Sequence, residues 1–321
     1  GIVDLIGAAR PSIADPFLPK KVEEGRLEDV RECIGCNICY TGDSKHYPLR
    51  CTQNPTMGEE WRRGWHPEKI EPKSADETVL VIGAGPAGLE AARALGQRGY
   101  AVMLAEATRE LGGRVSREAM LPGLSEWARV RDYRLQQLEK LPNVEIFRES
   151  RLGLKDILDV GADHVAVATG ARWRRDGWGA SHDTPIAGQM PAERLFTPDD
   201  IMAGRMPTGK TLVFDDDGFY MGSVIAEKIR QAGNEVIYLT PASMASTWST
   251  NTAEQARVHC RLDEIGVEIV LNRQLNAFDG EAATLACSYT GKESQIAVDD
   301  VILVTCREAR GDLYDQLVEA I

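Results

Sequence analysis

The sequence is poor in aromatic residues and in basic charge, and it has no long apolar run. Phe, Trp and Tyr make up 6% of the 321 residues, and 37 Lys and Arg stand against 49 Asp and Glu, for a net charge of −12. No basic stretch is interleaved with aromatics, which argues against nucleic-acid binding. No apolar run reaches the roughly 18 to 20 residues that span a bilayer, and no secretory signal opens the sequence. We therefore expect neither nucleic acid nor membrane as a partner.

Cysteine is also scarce, but four of the seven cysteines fall in one short segment. Cys33, Cys36 and Cys39 are separated from one another by two residues, and eleven residues separate Cys39 from Cys51. The close trio can aim three thiolates at one centre and the remote fourth can close it, as in iron–sulfur cubanes. Zinc is the chemical alternative, although all-sulfur zinc sites usually divide their ligands into two separated pairs. The spacing predicts a [4Fe-4S] cluster on these residues.

The other three cysteines show no ligand spacing. Cys260, Cys287 and Cys306 lie in apolar, strand-like sequence, and we expect them to be ordinary buried thiols. This use of cysteine is typical of a reducing compartment, so we expect a cytoplasmic protein.

The apolar pattern predicts an α/β protein of several parts. Both ends look cut, and Gly1–Gly7 resembles the tail of a buried strand, so we expect a piece of a larger polypeptide. A loop and a helix near Leu18–Glu24 should follow, then the cysteine segment. Alternating strands and helices then predict two Rossmann-like lobes with parallel sheets, the second inserted in the first. The expected boundaries are 1–30, 31–75, 76–205 and 206–300, with 301–321 returning to the first lobe.

A glycine-rich turn follows the first strand of the first lobe. Gly83-Ala84-Gly85-Pro86-Ala87-Gly88 lies between an apolar strand and a helix, and Glu106 ends the next strand. This is the context that a dinucleotide fingerprint requires. Gly83 permits the turn, Gly85 lets the backbone approach a pyrophosphate at the helix N-terminus, and Gly88 allows close packing. Glu106 would bind an adenosine ribose and disfavour a 2′-phosphate. A glycine turn without a ligand is the alternative.

The corresponding turn of the second lobe has the opposite chemistry. After the predicted strand Thr211–Phe214 come Asp215, Asp216 and Asp217, where a pyrophosphate would need glycines and bare N–H groups. Each close pair of like charges costs on the order of 1 kcal/mol even with screening. We therefore expect a solvated acidic turn and no NAD(P)H in this lobe.

Together these features resemble the iron–sulfur flavoprotein amine dehydrogenases, the group of trimethylamine, dimethylamine and histamine dehydrogenases. The resemblance covers essentially the whole chain, and so many matched stretches in one order make it specific. In sequence order the matching stretches are Ala9–Pro16, Cys33–Cys39, Cys51–Asn54, Gly58–Lys69, Gly83–Gly88, Leu121–Leu124 and Ala168–Trp173.

The resemblance implies a TIM barrel that carries FMN, followed by the cluster segment and two nucleotide-fold lobes. By that resemblance, residues 1–30 are the last strand, loop and helix of the barrel. Arg10 and the backbone near Ala9 would hold the FMN phosphate at the barrel's C-terminal face. The catalytic residues of the barrel are absent from this sequence, which would make it the part that carries electrons outward.

The resemblance further implies ADP in the first nucleotide lobe. Relatives that resemble 2,4-dienoyl-CoA reductase instead bind FAD there and NADPH in the second lobe. Those relatives space their third cysteine one residue wider and carry a glycine-rich second turn, so both differences favour the amine dehydrogenases. Besides the glycine turn and Glu106, the residues expected at the nucleotide are Gly113, Arg114, Thr169 and Gly170.

The implied function is electron transfer within an FMN and [4Fe-4S] enzyme that oxidises a C–N bond of a small amine. Because a cubane passes one electron per step, the expected partner is electron-transferring flavoprotein, and the expected assembly is a homodimer. Two alternatives remain. One is an NAD(P)H-dependent reductase of the 2,4-dienoyl-CoA reductase type, and the other is an adenine-nucleotide-binding scaffold whose cysteines hold zinc.

Overall fold

The computed structural model describes residues 4–59, 61, 70–183, 185–186 and 190–320, with backbone alone at 43 and 44. Most of the matching stretch Gly58–Lys69 therefore lies outside the described residues. The chain forms two compact units. The first contains Gly1–Met120, Leu124–Gly170 and Arg310–Ile321, and the second contains Leu121–Gly123 and Ala171–Ala309. The second unit is thus inserted in the sequence of the first.

Helices and strands alternate along most of the described chain. The helices are α1 (Ala9–Ala14), α2 (Leu18–Glu23), α3 (Ile38–Lys45), α4 (Pro86–Arg98), α5 (Arg114–Glu118), α6 (Ala128–Leu138), α7 (Leu154–Val160), α8 (Pro198–Met202), α9 (Tyr220–Gln231), α10 (Gln255–Glu264) and α11 (Asp312–Ala320). The strands are β1 (Thr78–Ile82), β2 (Ala101–Ala105), β3 (Val144–Phe147), β4 (His164–Val167), β5 (Ala171–Trp173), β6 (Leu195–Phe196), β7 (Thr211–Asp215), β8 (Val236–Leu239), β9 (Glu268–Val270), β10 (Arg273–Phe278), β11 (Ala282–Cys287), β12 (Glu293–Ala297), β13 (Asp300–Val304) and β14 (Arg307–Ala309). Of the described helices, none has both the length and the apolar character needed to cross a bilayer.

The first unit is built on a parallel sheet with strand order β3-β2-β1-β4. Helices cover both faces of this sheet, which is why β1 is apolar along nearly its whole length. On one face, Val81 lies in a core cluster with Leu89 of α4. On the other face, Leu80 lies with Ile157 of α7 and Leu317 of α11. The glycine turn begins at the carboxyl end of this buried central strand.

The start of the chain differs from the expectation at two elements. The predicted helix near Leu18–Glu24 is present as α2, but the stretch predicted as a loop before it forms the six-residue helix α1. Pro11 fits in the first turn of α1, because N–H groups there have no intrahelical partner. The buried strand end expected over Gly1–Gly7 is wrong for residues 4–7, which are exposed and have no regular structure, while 1–3 lie outside the described residues.

The second unit contains a five-stranded parallel sheet with strand order β6-β13-β7-β8-β9. It also contains the antiparallel sheet β10-β11-β12 and the pair β14-β5. All residues of β7, β8 and β13 are buried. Phe214, Leu239 and Leu303 of these strands share a core cluster with Leu275 of β10 and Leu285 of β11. The apolar runs thus form the second Rossmann-like lobe that the sequence predicts.

The three cysteines outside the cluster segment are not the buried strand residues that were predicted. Cys260 is exposed on α10, while Cys287, at the end of β11, and Cys306, after β13, are half-buried. Hydrogen bonds from Thr290 and neighbouring backbone N–H groups lower the pKa of the Cys287 thiol to about 7. The prediction failed at Cys260 because a short apolar window does not separate a strand from an amphipathic helix.

Candidate functional site

The four clustered cysteines line one small cavity in the first unit. Cys33 and Cys36 lie in the irregular segment before α3, Cys39 lies in the first turn of α3, and Cys51 follows that helix. Other lining residues are Arg10, Ile13, Ile34, Asn37 and Gln53. The structure therefore brings together the thiols that the spacing singled out.

Two residues with positive φ fold the cysteine segment back on itself. Gly35 has a φ of +72° and Asn37 a φ of +55°, a region open to glycine and tolerated by asparagine. The Gly35 N–H donates to Cys33 Sγ at 3.4 Å. Immediately before Gly35, the Ile34 side chain is buried in a cluster with residues of α5 and α6. The loop is thus held by its own backbone and by one apolar anchor.

The surroundings of Cys39 and Cys51 favour the neutral form of these two thiols in the absence of a cation. Burial raises the pKa of Cys39 and of Cys51, and the nearby Cys36 adds to both shifts. Backbone N–H groups of Gln53 and Asn54 donate to Cys51 and oppose the shift. Thiolates are the form that binds metal, so a positive centre is needed to keep these residues deprotonated near neutral pH.

The donor set fits an iron–sulfur cluster better than one metal ion. A structural zinc needs four donors at about 2.3 Å from a single point. In the part of the chain that the structure describes, no three His, Cys, Asp or Glu side chains are grouped closely enough to hold an ion. In a cubane each iron takes one thiolate at a different corner, so the ligands stand farther apart. Four thiols spread around one cavity suit that arrangement.

Arg10, expected at an FMN phosphate, reaches the cysteine loop. Ala9 and Arg10 begin α1, and the Arg10 guanidinium lines the cysteine cavity. Its Nη1 donates a hydrogen bond to Asn37 Oδ1. Asn54 Nδ2 donates to the Ile13 carbonyl oxygen at 3.1 Å and so ties α1 to the segment after the last cysteine. This cation can attract an anionic group to the edge of the cavity.

The glycine turn between β1 and α4 requires glycine at two positions for packing alone. Gly83 has a φ of +101°, and a Cβ on it would lie 2.5 Å from the Ala168 carbonyl oxygen. A Cβ on Gly88 would lie 1.8 Å from the Gly83 carbonyl oxygen. Both contacts are too close for any side chain. Glycine at these two positions therefore allows β1 and α4 to pack closely.

Gly85 has a different reason to be glycine. It caps α4 with a φ of −73°, which any residue adopts, and a Cβ there would meet no described atom within 4 Å. Pro86 and Ala87 follow as the first residues of α4, where backbone N–H groups lack intrahelical partners. Protein packing does not demand glycine here, whereas close approach of a pyrophosphate does. The turn therefore fits a diphosphate.

Glu106 supports the turn from the end of β2. One of its carboxylate oxygens accepts the Ala84 N–H at 2.9 Å. The other accepts the N–H and the hydroxyl of Thr108, both at 2.9 Å. A carboxylate has about four acceptor positions, so Glu106 retains capacity for a ribose hydroxyl.

The other expected nucleotide residues border the same turn. Gly113 has a φ of +55°, and a Cβ on it would lie 3.0 Å from the Gly85 Cα. Arg114 follows as the first residue of α5, and its Nε lies 3.9 Å from a Glu118 carboxylate oxygen. A phosphate near Arg114 would therefore compete with this carboxylate.

Thr169 and Gly170 connect the turn to the last part of the chain. The Thr169 hydroxyl donates to the Arg310 carbonyl oxygen at 2.8 Å, and the Gly170 carbonyl oxygen accepts the Arg310 N–H at 2.9 Å. The Thr169 nitrogen would lie 3.4 Å from a Cβ on Gly83. These bonds fix the segment after β4 beside the glycine turn.

The acidic turn of the second unit is buried, and the prediction of a solvated turn was wrong. Asp215 is fully buried and Asp216 is 8% exposed. One Asp215 oxygen accepts the Gly218 N–H at 2.9 Å, and the other accepts the Tyr238 hydroxyl. Burial raises the pKa of Asp215 to about 7, although both hydrogen bonds oppose the shift. The side chain of Asp215 therefore takes the N–H that a bound phosphate would use.

Arg134 and its hydrogen-bond partner Gln53 were not singled out from the sequence. Arg134, on α6, is 4% exposed, and its guanidinium donates to both the side-chain and the main-chain oxygen of Gln53. A signal was present, because Val130, Arg134 and Leu138 recur at every fourth position and are all buried. An arginine within an apolar stripe indicates a paired interior charge.

Two family models match parts of the chain. The model described as pyridine nucleotide-disulphide oxidoreductase matches residues 77–207. The model described as OYE-like second alpha/beta domain matches residues 196–291. The first match contains the glycine turn and the second contains the acidic turn.

Several named relatives match along the whole chain. Dimethylamine dehydrogenase of Hyphomicrobium sp. (strain x) is 40% identical over an alignment of 343 residues, which covers 99% of this chain and 46% of that protein. Histamine dehydrogenase from Rhizobium sp. 4-9 is 53% identical with a TM-score of 0.96, covering 99% of this chain and 49% of that one. The 6-hydroxypseudooxynicotine amine oxidase of Pseudomonas geniculata N1 is 47% identical with a TM-score of 0.96, covering 100% and 48%. The chain spans about half the length of these relatives.

Proposed function

This chain belongs to the family of iron–sulfur flavoprotein amine dehydrogenases, and we propose that it is the electron-transfer part of an enzyme that oxidises a C–N bond of a small amine. The observation that carries this proposal is the meeting of Cys33, Cys36, Cys39 and Cys51 at one cavity. The similarity to dimethylamine and histamine dehydrogenases along the whole chain supports it.

In this proposal the four cysteines bind a [4Fe-4S] cluster. When bound, the cluster supplies one-electron transfer between a flavin, which takes two electrons from the amine, and an outside acceptor. The chain provides the thiolates, and the Gly35 N–H donates to Cys33 while other backbone N–H groups donate to Cys51. Such hydrogen bonds to sulfur stabilise negative charge there and adjust the reduction potential.

Residues at the start of the chain would link the flavin to the cluster. We propose that residues 1–30 complete a TIM barrel and that Arg10, with the backbone near Ala9, binds the FMN phosphate. The contact of Arg10 with Asn37 supports this role, because the same guanidinium borders the cysteine cavity. In the same scheme 31–75 hold the cluster, 76–205 with 301–321 form the first lobe, and 206–300 form the second.

ADP is the nucleotide that we propose for the first lobe. Gly83, Gly85 and Gly88 would hold its pyrophosphate at the start of α4, and Glu106 its ribose, with Gly113, Arg114, Thr169 and Gly170 around the turn. Gly85 supports a diphosphate, because a Cβ there would meet no described atom within 4 Å and protein packing does not require glycine. Similarity to the amine dehydrogenases favours ADP over FAD.

The second lobe favours a one-electron acceptor over a nicotinamide. Asp215 accepts the Gly218 N–H, and Asp216 accepts the N–H and hydroxyl of Ser181. A diphosphate at this turn would meet these carboxylates. The N–H and hydroxyl groups that could bind it already donate to Asp215 and Asp216. We therefore propose electron-transferring flavoprotein as the acceptor, rather than the hydride transfer of a 2,4-dienoyl-CoA reductase type.

Steady-state turnover of the full-length protein tests this function. We expect a panel of small amines to include a substrate whose oxidation reduces electron-transferring flavoprotein or a one-electron dye. Bleaching of the flavin by NADPH, with no amine turnover, would instead support the dienoyl-CoA reductase type. Zinc without iron would support the scaffold alternative. Analytical ultracentrifugation of the same sample tests the proposed homodimer.

A further inference from the structure

A buried arginine is bonded to the segment that carries the last cysteine. Arg134 Nη1 lies 3.3 Å from Gln53 Oε1, and Nη2 lies 3.2 Å from the Gln53 carbonyl oxygen. Its Nη1 also donates to the Val130 carbonyl oxygen at 2.7 Å. On its other side, Arg134 Nε is 2.8 Å from a Glu90 carboxylate oxygen. The guanidinium is thus fixed between α4, α6 and the segment after Cys51.

Gln53 connects this arginine to both ends of the cysteine set. Its side chain is 1% exposed and lines the cysteine cavity. Its Nε2 donates at 3.0 Å to the carbonyl oxygen of Glu32, the residue before Cys33. The next residue, Asn54, donates its backbone N–H to Cys51. The Gln53 carbonyl and the Asn54 N–H are the two ends of one peptide group.

We propose that Arg134 is a positioning residue that raises the reduction potential of the cluster through the Gln53–Asn54 peptide. This inference rests on the proposed function, in which Cys51 is a cluster ligand. A guanidinium on the carbonyl end of a peptide polarises that peptide and strengthens the hydrogen bond made by its N–H end. A stronger N–H bond to a ligand sulfur stabilises the additional negative charge of the reduced cluster.

The charge of Arg134 itself lies in a buried region. Its carboxylate partner is shared, because the other Glu90 oxygen lies 2.6 Å from Arg93 Nη2. The Arg31 guanidinium, whose side chain is 1% exposed, also acts on Arg134. At low effective dielectric, the positive charge of Arg134 acts in the same direction as the peptide and favours the reduced cluster.

The test is a redox titration of the cluster by electron paramagnetic resonance, on the full-length holoprotein. We expect Arg134→Gln to reduce the ratio of reduced to oxidised cluster about threefold to tenfold at the wild-type midpoint, because the neutral amide no longer provides a charged donor to the peptide carbonyl. A tenfold fall corresponds to about 59 mV for a one-electron couple. Titration of iron and acid-labile sulfide in each sample shows whether the cluster is retained.

Arg93→Gln is the matched control. Arg93 is also buried, at 5% exposed, and shares Glu90, and its guanidinium donates to Glu90 and Gln97. We expect its shift to be less than half that of Arg134→Gln. Equal shifts would overturn the route through the peptide, since they would show a purely through-space effect.

Arg134→Lys is a second test variant, which is needed if Arg134→Gln does not fold. It retains the charge but loses the two parallel bonds, so we expect a fall in the reduced-to-oxidised ratio of about twofold. An unchanged potential in every folded Arg134 variant would overturn the inference while leaving the proposed function intact. A wild-type holoprotein without iron would overturn the proposed function, and this inference with it.

Discussion

At the scale of single residues, the glycine turn separates packing from ligand binding. Side chains at Gly83 and Gly88 would collide with backbone oxygens, while a Cβ on Gly85 would meet no described atom within 4 Å. Gly83 and Gly88 thus explain the fold of the turn. We propose that a bound pyrophosphate is the reason for glycine at position 85. The same substitution at two of these glycines can therefore distinguish structure from function.

We predict that Gly85→Ser loses nucleotide and keeps stability. Serine is a favoured N-cap residue, so the free energy of unfolding of nucleotide-free protein should change by about 0.5 kcal/mol or less. The bound ADP released on denaturation should fall at least about tenfold, because the added side chain stands where the pyrophosphate approaches. Chromatography of released nucleotide and a thermal melt provide the two measurements.

Gly88→Ser is the control for that experiment. Its Cβ would lie 1.8 Å from the Gly83 carbonyl oxygen, so it should destabilise the nucleotide-free protein itself. Retention of ADP by the Gly85 variant at the wild-type level would contradict the proposed nucleotide site.

A second residue-scale prediction concerns the last cysteine. Cys51→Ser should abolish bound iron and acid-labile sulfide, because a serine oxygen is a poor substitute for a soft thiolate ligand. Cys260→Ser is the control, since Cys260 is exposed on α10 and lies outside the segment that contains the four clustered cysteines. Colorimetric iron analysis compares the two variants. Full iron in the Cys51 variant would exclude this residue as a ligand.

At the scale of elements, sequence reasoning located most strands because their apolar runs are buried on both faces. The predicted strand Thr211–Phe214, for example, is β7, which runs one residue farther and is buried along its whole length. It missed α1, since Arg10 and Pro11 are typical of loops and the capping contacts come from distant residues. It also placed the acidic turn in solvent, because no local pattern reveals that Tyr238, 23 positions away, will donate to Asp215. Partners remote in sequence decided both errors.

The acidic turn predicts a pH dependence of stability in the second unit. The pKa of Asp215 is raised from 3.8 to about 7 in the folded state, so its stabilising contribution is complete below about pH 4 and is lost as the pH rises through 7. Relative to Asp215→Asn, the wild-type free energy of unfolding should fall between pH 4 and 7 by up to about 1.4 kcal/mol per pH unit. Urea unfolding followed by tryptophan fluorescence measures this difference.

Asp183→Asn serves as the control, because Asp183 is exposed in the same unit. Its stability should run parallel to the wild type at every pH. A wild-type profile that also runs parallel to that of Asp215→Asn would show that the buried carboxyl does not titrate in this range.

At the scale of the whole molecule, we propose that the chain is one part of an electron-transfer system. It spans about half the length of relatives such as dimethylamine dehydrogenase, and the second unit is inserted in the sequence of the first. The cysteine spacing was enough to predict which thiols meet, since three lie within one loop. The apolar stripe of α6 indicates that Arg134 is buried, but its contact with Gln53 could not be predicted, because the two residues are 81 positions apart.

The central claim is that Cys33, Cys36, Cys39 and Cys51 hold an iron–sulfur cluster. Its most direct test is elemental and spectroscopic analysis of anaerobically purified full-length protein. We expect iron and acid-labile sulfide in equal amounts, and an electron paramagnetic resonance signal that appears on reduction by dithionite and is absent from Cys51→Ser. Colourless protein that contains zinc, or no metal, would contradict it.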